Sequence, residues 1–323
     1  MNSLYGRIKK RVVMTVSAFC ADCHYSIRYA IYRVCDELGG RLGFDRLSWY
    51  CNEKKHQWIL NYLEKKLFKL LNTYREKDNL GLKPEKAPIW ICWWQGEENA
   101  PLLVKQCIKS IRENAGEHPV HFITKDNVQT FVEMPLYMQE KVATQKMGLA
   151  HYADYLRVSL LSKYGGLWLD ATIFCSDTIP KECFEYPVFS FKNERKKSKY
   201  LSQYQWSCFC LGAWQGHPLF NFLKEAMELY WKTEEKAIDY LFFDYLVLLG
   251  LTHIPAARCY QEVPINNVHC DDLQAAMNAK MLAEQWKEVL CKNTTFYKLS
   301  WREKYAVYTE NGEKTVYAKL LET

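Results

Sequence analysis

Ile89-Trp90-Ile91-Cys92-Trp93-Trp94-Gln95-Gly96 decides the fold class. Its apolar run halts at a polar turn, the mark of a short strand buried on both faces. Pro101 to Glu113 follows, with Leu103, Cys107 and Ile111 on one helical face, and Val120-His121-Phe122-Ile123-Thr124 is a second strand of the buried kind. Strand, helix and strand at this spacing predict a βαβ unit with a parallel sheet, hence an α/β fold. Ligands of such sheets sit beyond the carboxyl ends of the strands, which puts the Gln95-Gly96-Glu97 loop beside a binding site.

Working outward, residues 146–164 read as a strong helix that Gly165-Gly166 ends, and Leu167-Trp168-Leu169-Asp170 reads as the next strand. Helices are expected near 217–232 and 235–250, and Phe296 to Trp301 is a last short segment. Upstream, Ile27, Ile31 and Val34, then Trp58, Leu60, Leu63, Leu67 and Leu70, recur at helical spacing, with Gly39-Gly40 and Gly43 predicted to break the run. The stretch 79–88 carries two prolines and a glycine and marks a boundary between residues 1–85, a helical basic region, and residues 86–323.

The composition is that of an ordinary globular chain. Hydrophobic residues are 49% and charged residues 25% of the 323, which excludes a disordered or low-complexity protein. Residues 1–85 hold 16 Lys+Arg against 9 Asp+Glu, so the whole positive excess of +6 lies in the first quarter of the chain. That asymmetry calls for an anionic partner, a membrane surface or a nucleic acid. Nucleic acid is set aside, because no glycine-bracketed aromatic motif or recognition-helix signature accompanies the charge. The thirteen cysteines are scattered and often inside apolar stretches, as reduced thiols of a cytoplasmic protein would be. Cys20-Ala21-Asp22-Cys23-His24 has half the spacing of a zinc site and no second half. The longest apolar run, Val12 to Ala21, is too short to span a bilayer, so any membrane contact is expected to be peripheral, at the inner face of the plasma membrane.

Three acidic and basic positions carry the chemistry. Asp154 and Arg157 lie three apart and share one helical face among Ala153, Leu156, Leu160 and Leu161, where an ion pair near the core can bind hydroxyls or phosphate bidentately. Asp170 ends an apolar strand and must be hydrogen-bonded, paired or metal-bound. Thr172, if the chain stays extended, projects from the same side, and a carboxylate with a hydroxyl makes a hard oxygen pair suited to Mg2+ or Mn2+.

The stretch from Ala153-Asp154-Tyr155-Leu156-Arg157 through Tyr164-Gly165-Gly166-Leu167-Trp168-Leu169-Asp170-Ala171-Thr172 resembles the sugar-binding DxD region of a glycosyltransferase group that includes initiating mannosyltransferases and large glucosylating toxins. Its bacterial branch, the capsular polysaccharide synthesis proteins, is the nearer resemblance, through Ile89 to Gly96, Ala100 to Lys105, Gly166 to Thr172 and Ile238 to Tyr245, over about residues 86–301. The resemblance implies a GT-A, Rossmann-like nucleotide-sugar glycosyltransferase fold over 86–323, behind the N-terminal helical region. It implies transfer of a sugar from a nucleotide-sugar to a hydroxyl of a capsular, exopolysaccharide or lipid-linked glycan, with retention and with Mn2+ or Mg2+. By position, Asp154, Arg157 and Asp170 would be catalytic. Trp90, Trp94, Gln95, Gly96, Tyr164, Gly166 and Trp301 would join Asp154 and Arg157 in holding the donor. Asp170 and Thr172 would hold the metal, with His269 or Ser300 completing its shell from an eligible set that also includes Asn266 and Asp271. Thr172 stands where the second DxD aspartate belongs, and Tyr297 where the family often carries His. A non-catalytic nucleotide-sugar or glycan-binding protein is therefore the competing expectation.

Overall fold

The computed structural model describes residues 4–281, 290 and 293–322, the side chains of residues 4–8, 10 and 11 excepted. The chain opens with four helices, α1 (Leu4–Cys23), α2 (Ile27–Arg41), α3 (Asp45–Lys66) and α4 (Phe68–Tyr74). Ser26 caps α2, its hydroxyl accepting the Arg28 N–H at 3.2 Å. The expected break at Gly39-Gly40 does not occur: α2 runs through both and ends at Arg41, with Leu42 as its C-cap before Gly43 at φ +78°. A β-carbon at Gly39 would lie 3.2 Å from that of Ser48, so this glycine serves the close approach of α3.

The predicted βαβ unit is present as β1 (Ile89–Cys92), α5 (Leu102–Asn114) and β2 (Val120–Ile123). After α6 (Leu136–Ala143), α7 (Leu149–Tyr164) runs into Gly165 and β3 (Gly166–Leu169), a helix that starts three residues later than its apolar pattern suggested. β1 pairs parallel with both β2 and β3. A short β4 (Ile173–Cys175), α8 (Glu182–Glu185), β5 (Val188–Ser190) and β6 (Cys210–Ala213) follow, and the main sheet has the order β2-β1-β3-β6-β5, with β6 antiparallel to its neighbours. The architecture is thus mixed α/β.

α9 (Pro218–Thr233) lies where a helix was expected. The second expected helix, 235–250, instead begins at Phe242 and runs to His253 as α10, because Glu235 to Leu241 forms an irregular approach to it. The short α11 (Asp272–Ala276) and β7 (Phe296–Lys298) come next, and a last helix spans Val316–Glu322. β7 pairs antiparallel with β4, Ile173 opposite Lys298.

One apolar core joins the two regions that composition separates. Tyr29, Ile59, Leu63, Leu67 and Leu71 of α2 to α4 are buried in the same cluster as Trp90, Trp168, Phe222 and Phe242. The described cysteines are free thiols, with Cys107, Cys175, Cys183 and Cys210 buried, and among the described residues no helix is long and apolar enough to cross a membrane.

Candidate active site

A cleft of about 720 Å³ opens at the carboxyl end of β1 and β3. Its walls come from the loop after β1, the first half of α7, the turn after β3, the approach to α10, α11 and the segment after β7. The location is the one that parallel strands dictate.

Arg157 is the centre of the site. It is 6% exposed, and a buried guanidinium must be paired. One terminal nitrogen donates to Asp154 Oδ1 at 2.6 Å and the other to Asp170 Oδ1 at 3.3 Å. The guanidinium carbon lies 5.3 Å from the Trp168 ring centre and 5.8 Å from that of Phe243, within cation–π range. Its Nε has no partner. The i,i+3 pair read from the sequence is therefore a core pair shared with a third residue, not a surface salt bridge.

Asp170 follows the last residue of β3 and its N–H donates to the Phe209 carbonyl at 2.9 Å, which fixes the backbone. Burial alone would push its carboxyl up. Lys298, Arg157 and the Trp168 indole N–H outweigh that and hold it down at about 2. The chain does not stay extended past it: Ile173 N–H returns to the Asp170 carbonyl at 2.9 Å, forming a turn. Thr172 nonetheless converges with Asp170, because both face Lys298. The Lys298 ammonium donates to Asp170 Oδ2 at 2.9 Å and to Thr172 Oγ1 at 2.7 Å.

This arrangement does not fit the divalent ion that the sequence led us to expect. The two oxygens expected to hold a metal are instead engaged by an ammonium, as hydrogen-bond acceptors at 2.9 and 2.7 Å. His269 is outside the cleft lining, its Nδ1 3.0 Å from Asp272 Oδ2. Ser300 lines the cleft with its N–H donating to Gln274 Oε1 at 2.8 Å. Asn266 holds backbone groups of Lys192 and Ser190 instead. Among the described residues no three His, Cys, Asp or Glu side chains gather into a site that could hold a metal by themselves.

Of the expected donor-binding residues, Trp94, Gln95 and Trp301 line the cleft with Asp154 and Arg157. Trp90, Gly96, Tyr164 and Gly166 do not. Trp90 is a core residue whose indole N–H reaches the Gly165 carbonyl at 2.9 Å, and Tyr164 donates to the Phe131 carbonyl at 3.2 Å. Trp93, not Trp90, is the cleft residue. It meets Trp301 edge to face at 5.7 Å, and its buried indole N–H is without a partner.

Further charged residues of the cleft escaped the sequence-based site. Lys298 and Arg302 are two of them. Asp244, on the first turn of α10, is another. Its Oδ1 accepts the Trp206 indole N–H at 2.7 Å, and burial, with Asp154 nearby, pushes its carboxyl up to about 6. Its signal was available: a lone acid inside Leu241-Phe242-Phe243-Asp244-Tyr245-Leu246, the same pattern that exposed Asp170.

With the geometry in place, comparison with known proteins is decisive at the family level. The profile of the capsular polysaccharide synthesis protein family matches residues 42–320. The chain belongs to that family. The match takes in α3 and α4 as well as the cleft, so the family's common part begins well before the motif-bearing stretch at 86. No curated protein matches the sequence. Among solved structures, PaToxG Glycosyltransferase is similar over 73% of this chain and 94% of that one, at 13% identity and a TM-score of 0.36.

Proposed function

We propose that this capsular polysaccharide synthesis protein is a glycosyltransferase with a GT-A-like active site, moving a sugar from a nucleotide-sugar to a hydroxyl of a growing or lipid-linked glycan, with retention at the anomeric carbon. The observation that carries the proposal is the cleft itself. It places buried Arg157 and the Lys298 ammonium, suited to phosphate oxygens, next to carboxylates suited to sugar hydroxyls. Trp93, Trp94 and Trp301 supply apolar faces for a base and a sugar ring. The volume is that of a small-ligand site.

Roles divide by position. Asp154 and Asp170 orient Arg157 and accept from donor hydroxyls. Asp244, across the cleft on α10, faces the acceptor side and is the group able to take or return a proton near neutral pH. A lipid-linked acceptor would lie at a membrane, and the exposed Val12, Val13, Met14 and Val16 of α1, with Lys9 beside them, form a surface suited to shallow insertion into an anionic leaflet.

The test is a screen of nucleotide-sugars for release of nucleoside diphosphate by the full-length protein. One donor should be consumed by the wild type and left intact by Asp154→Asn. Tight donor binding with no turnover, with or without acceptor glycans, would instead make this a binding protein.

A further inference from the structure

We infer that Lys298 takes the place of the divalent ion, so that the donor diphosphate is received by the fixed cations Lys298 and Arg157 and its binding is independent of metal. The inference rests on the nucleotide-sugar reading above and adds to it the identity of the group that meets the phosphate charge.

Three observations support it. First, the ammonium stands between two side-chain oxygens of the DxD-like segment, Asp170 Oδ2 and Thr172 Oγ1, while Asp170 Oδ1 is held by Arg157 and the Trp168 indole. An ammonium and a divalent ion cannot share those oxygens, since both are cations and the separations are a few ångströms. Second, Lys298 is held there by architecture. Its backbone N–H donates to the Cys270 carbonyl at 2.8 Å, β7 is registered on β4, and the Nζ lies 5.1 Å from the Phe209 ring centre. Third, a donor remains for a ligand. An ammonium has three N–H groups, and the two described acceptors leave one for the cleft.

The replacement of an acid by Thr172 follows from the same arrangement. A second carboxylate would add charge suited to a divalent ion. A lysine needs only an acceptor of the right length, which the threonine hydroxyl provides. Asp154, Arg157, Asp170 and Lys298 form a chain of alternating charge that is neutral in sum, so the cations stay in place before the donor arrives. Arg302, its guanidinium carbon 5.5 Å from the Trp301 ring centre, adds a positive charge at the rim.

The experiment uses the full-length protein in two measurements. In the first, UDP, GDP, CDP and ADP are titrated calorimetrically in excess EDTA and again in excess Mn2+. The expected result is that the nucleotide which binds does so equally in both, that Lys298→Met weakens it by roughly tenfold or more without rescue by Mn2+, and that Lys298→Arg retains most of the affinity. Binding that appears only with Mn2+ overturns the inference while leaving the nucleotide-sugar reading intact. Binding of none of the four in either condition removes that reading, and the inference with it. In the second, the protein alone is added to Mn2+ and the free-ion electron paramagnetic resonance signal is followed. Wild type should leave the signal unchanged. Loss of signal that Asp170→Asn abolishes overturns the inference whatever the nucleotide data show.

Discussion

Arg157 holds two carboxylates with two different nitrogens, and that division makes it the residue least able to tolerate a change of shape. A lysine has one charged nitrogen and no planar fork, so it can reach Asp154 or Asp170 but not hold both in their present relation. Arg157→Lys is expected to lower kcat/KM by roughly tenfold or more while keeping the fold, which steady-state kinetics and circular dichroism together would show. Equal activity would mean that the pair is only a structural clamp. Asp244 makes a prediction of opposite kind. Its carboxyl titrates near 6 in the folded protein and at 3.8 in an unfolded chain, so the folded state holds the proton more tightly. Stability therefore falls as pH rises from 3.8 through 6, and the cost is complete above that window. Asp244→Asn keeps an acceptor for the Trp206 indole and has no proton to lose. Thermal unfolding across pH should find the variant equal to wild type at the acid end and more stable above about pH 6. A difference that does not vary with pH would contradict the assignment.

At the scale of elements, the join between α7 and β3 sets the whole site, since Arg157 is on the helix and Asp170 just past the strand. Gly166 makes that join possible. Its φ is +98°, and a β-carbon there would sit 2.1 Å from the Pro88 carbonyl oxygen that accepts the Leu167 N–H. Gly166→Ala should cost about 3 kcal/mol or more, read as a lower urea midpoint with an unchanged slope. This join was legible in the sequence because helix, Gly-Gly and apolar strand are local patterns, and the βαβ unit of β1, α5 and β2 was legible for the same reason. Asp170 stood out as an acid closing an apolar run. What was not legible is what depends on distant pairing. Nothing local says that the turn after Asp170 faces Lys298, because that contact is made by β4 and β7. The placing of Trp90 in the donor site failed on strand geometry. Trp90 lies within β1 and points into the core, whereas Trp93 and Trp94 lie past its end. The helix expected over 235–250 failed because its first residues carry Lys236 and Asp239 in a stretch that folds as turns, so only the apolar part from Phe242 is helical.

For the whole molecule, the shared core decides how the basic N-terminal region can be tested. Deleting residues 1–80 would remove Tyr29, Ile59, Leu63, Leu67 and Leu71 from the cluster that also holds β1 and α9, so such a chain is expected to be recovered as aggregate. Surface changes are the informative ones. Leu42, Phe44 and Leu47 are exposed at the join of α2 and α3 beside Arg41 and Arg46, a second surface besides α1 suited to an anionic leaflet. Replacing the three by Ser should weaken sedimentation with anionic vesicles and leave the melting temperature unchanged, because none of them supports the core. Unaltered pelleting would argue against a membrane role for this face. The pairing of β4 with β7 has one more consequence, in the order of synthesis. Asp170 and Lys298 are 128 residues apart, so a ribosome delivers the anion long before its ammonium. Until β7 is made and folded back, a step that long-range pairing makes slow, Asp170 has Arg157 beside it and Thr172 has no lysine to receive. Each newly made copy thus carries most of its core before it has a finished donor site, and a message that stops short of codon 298 encodes a protein that cannot gain one.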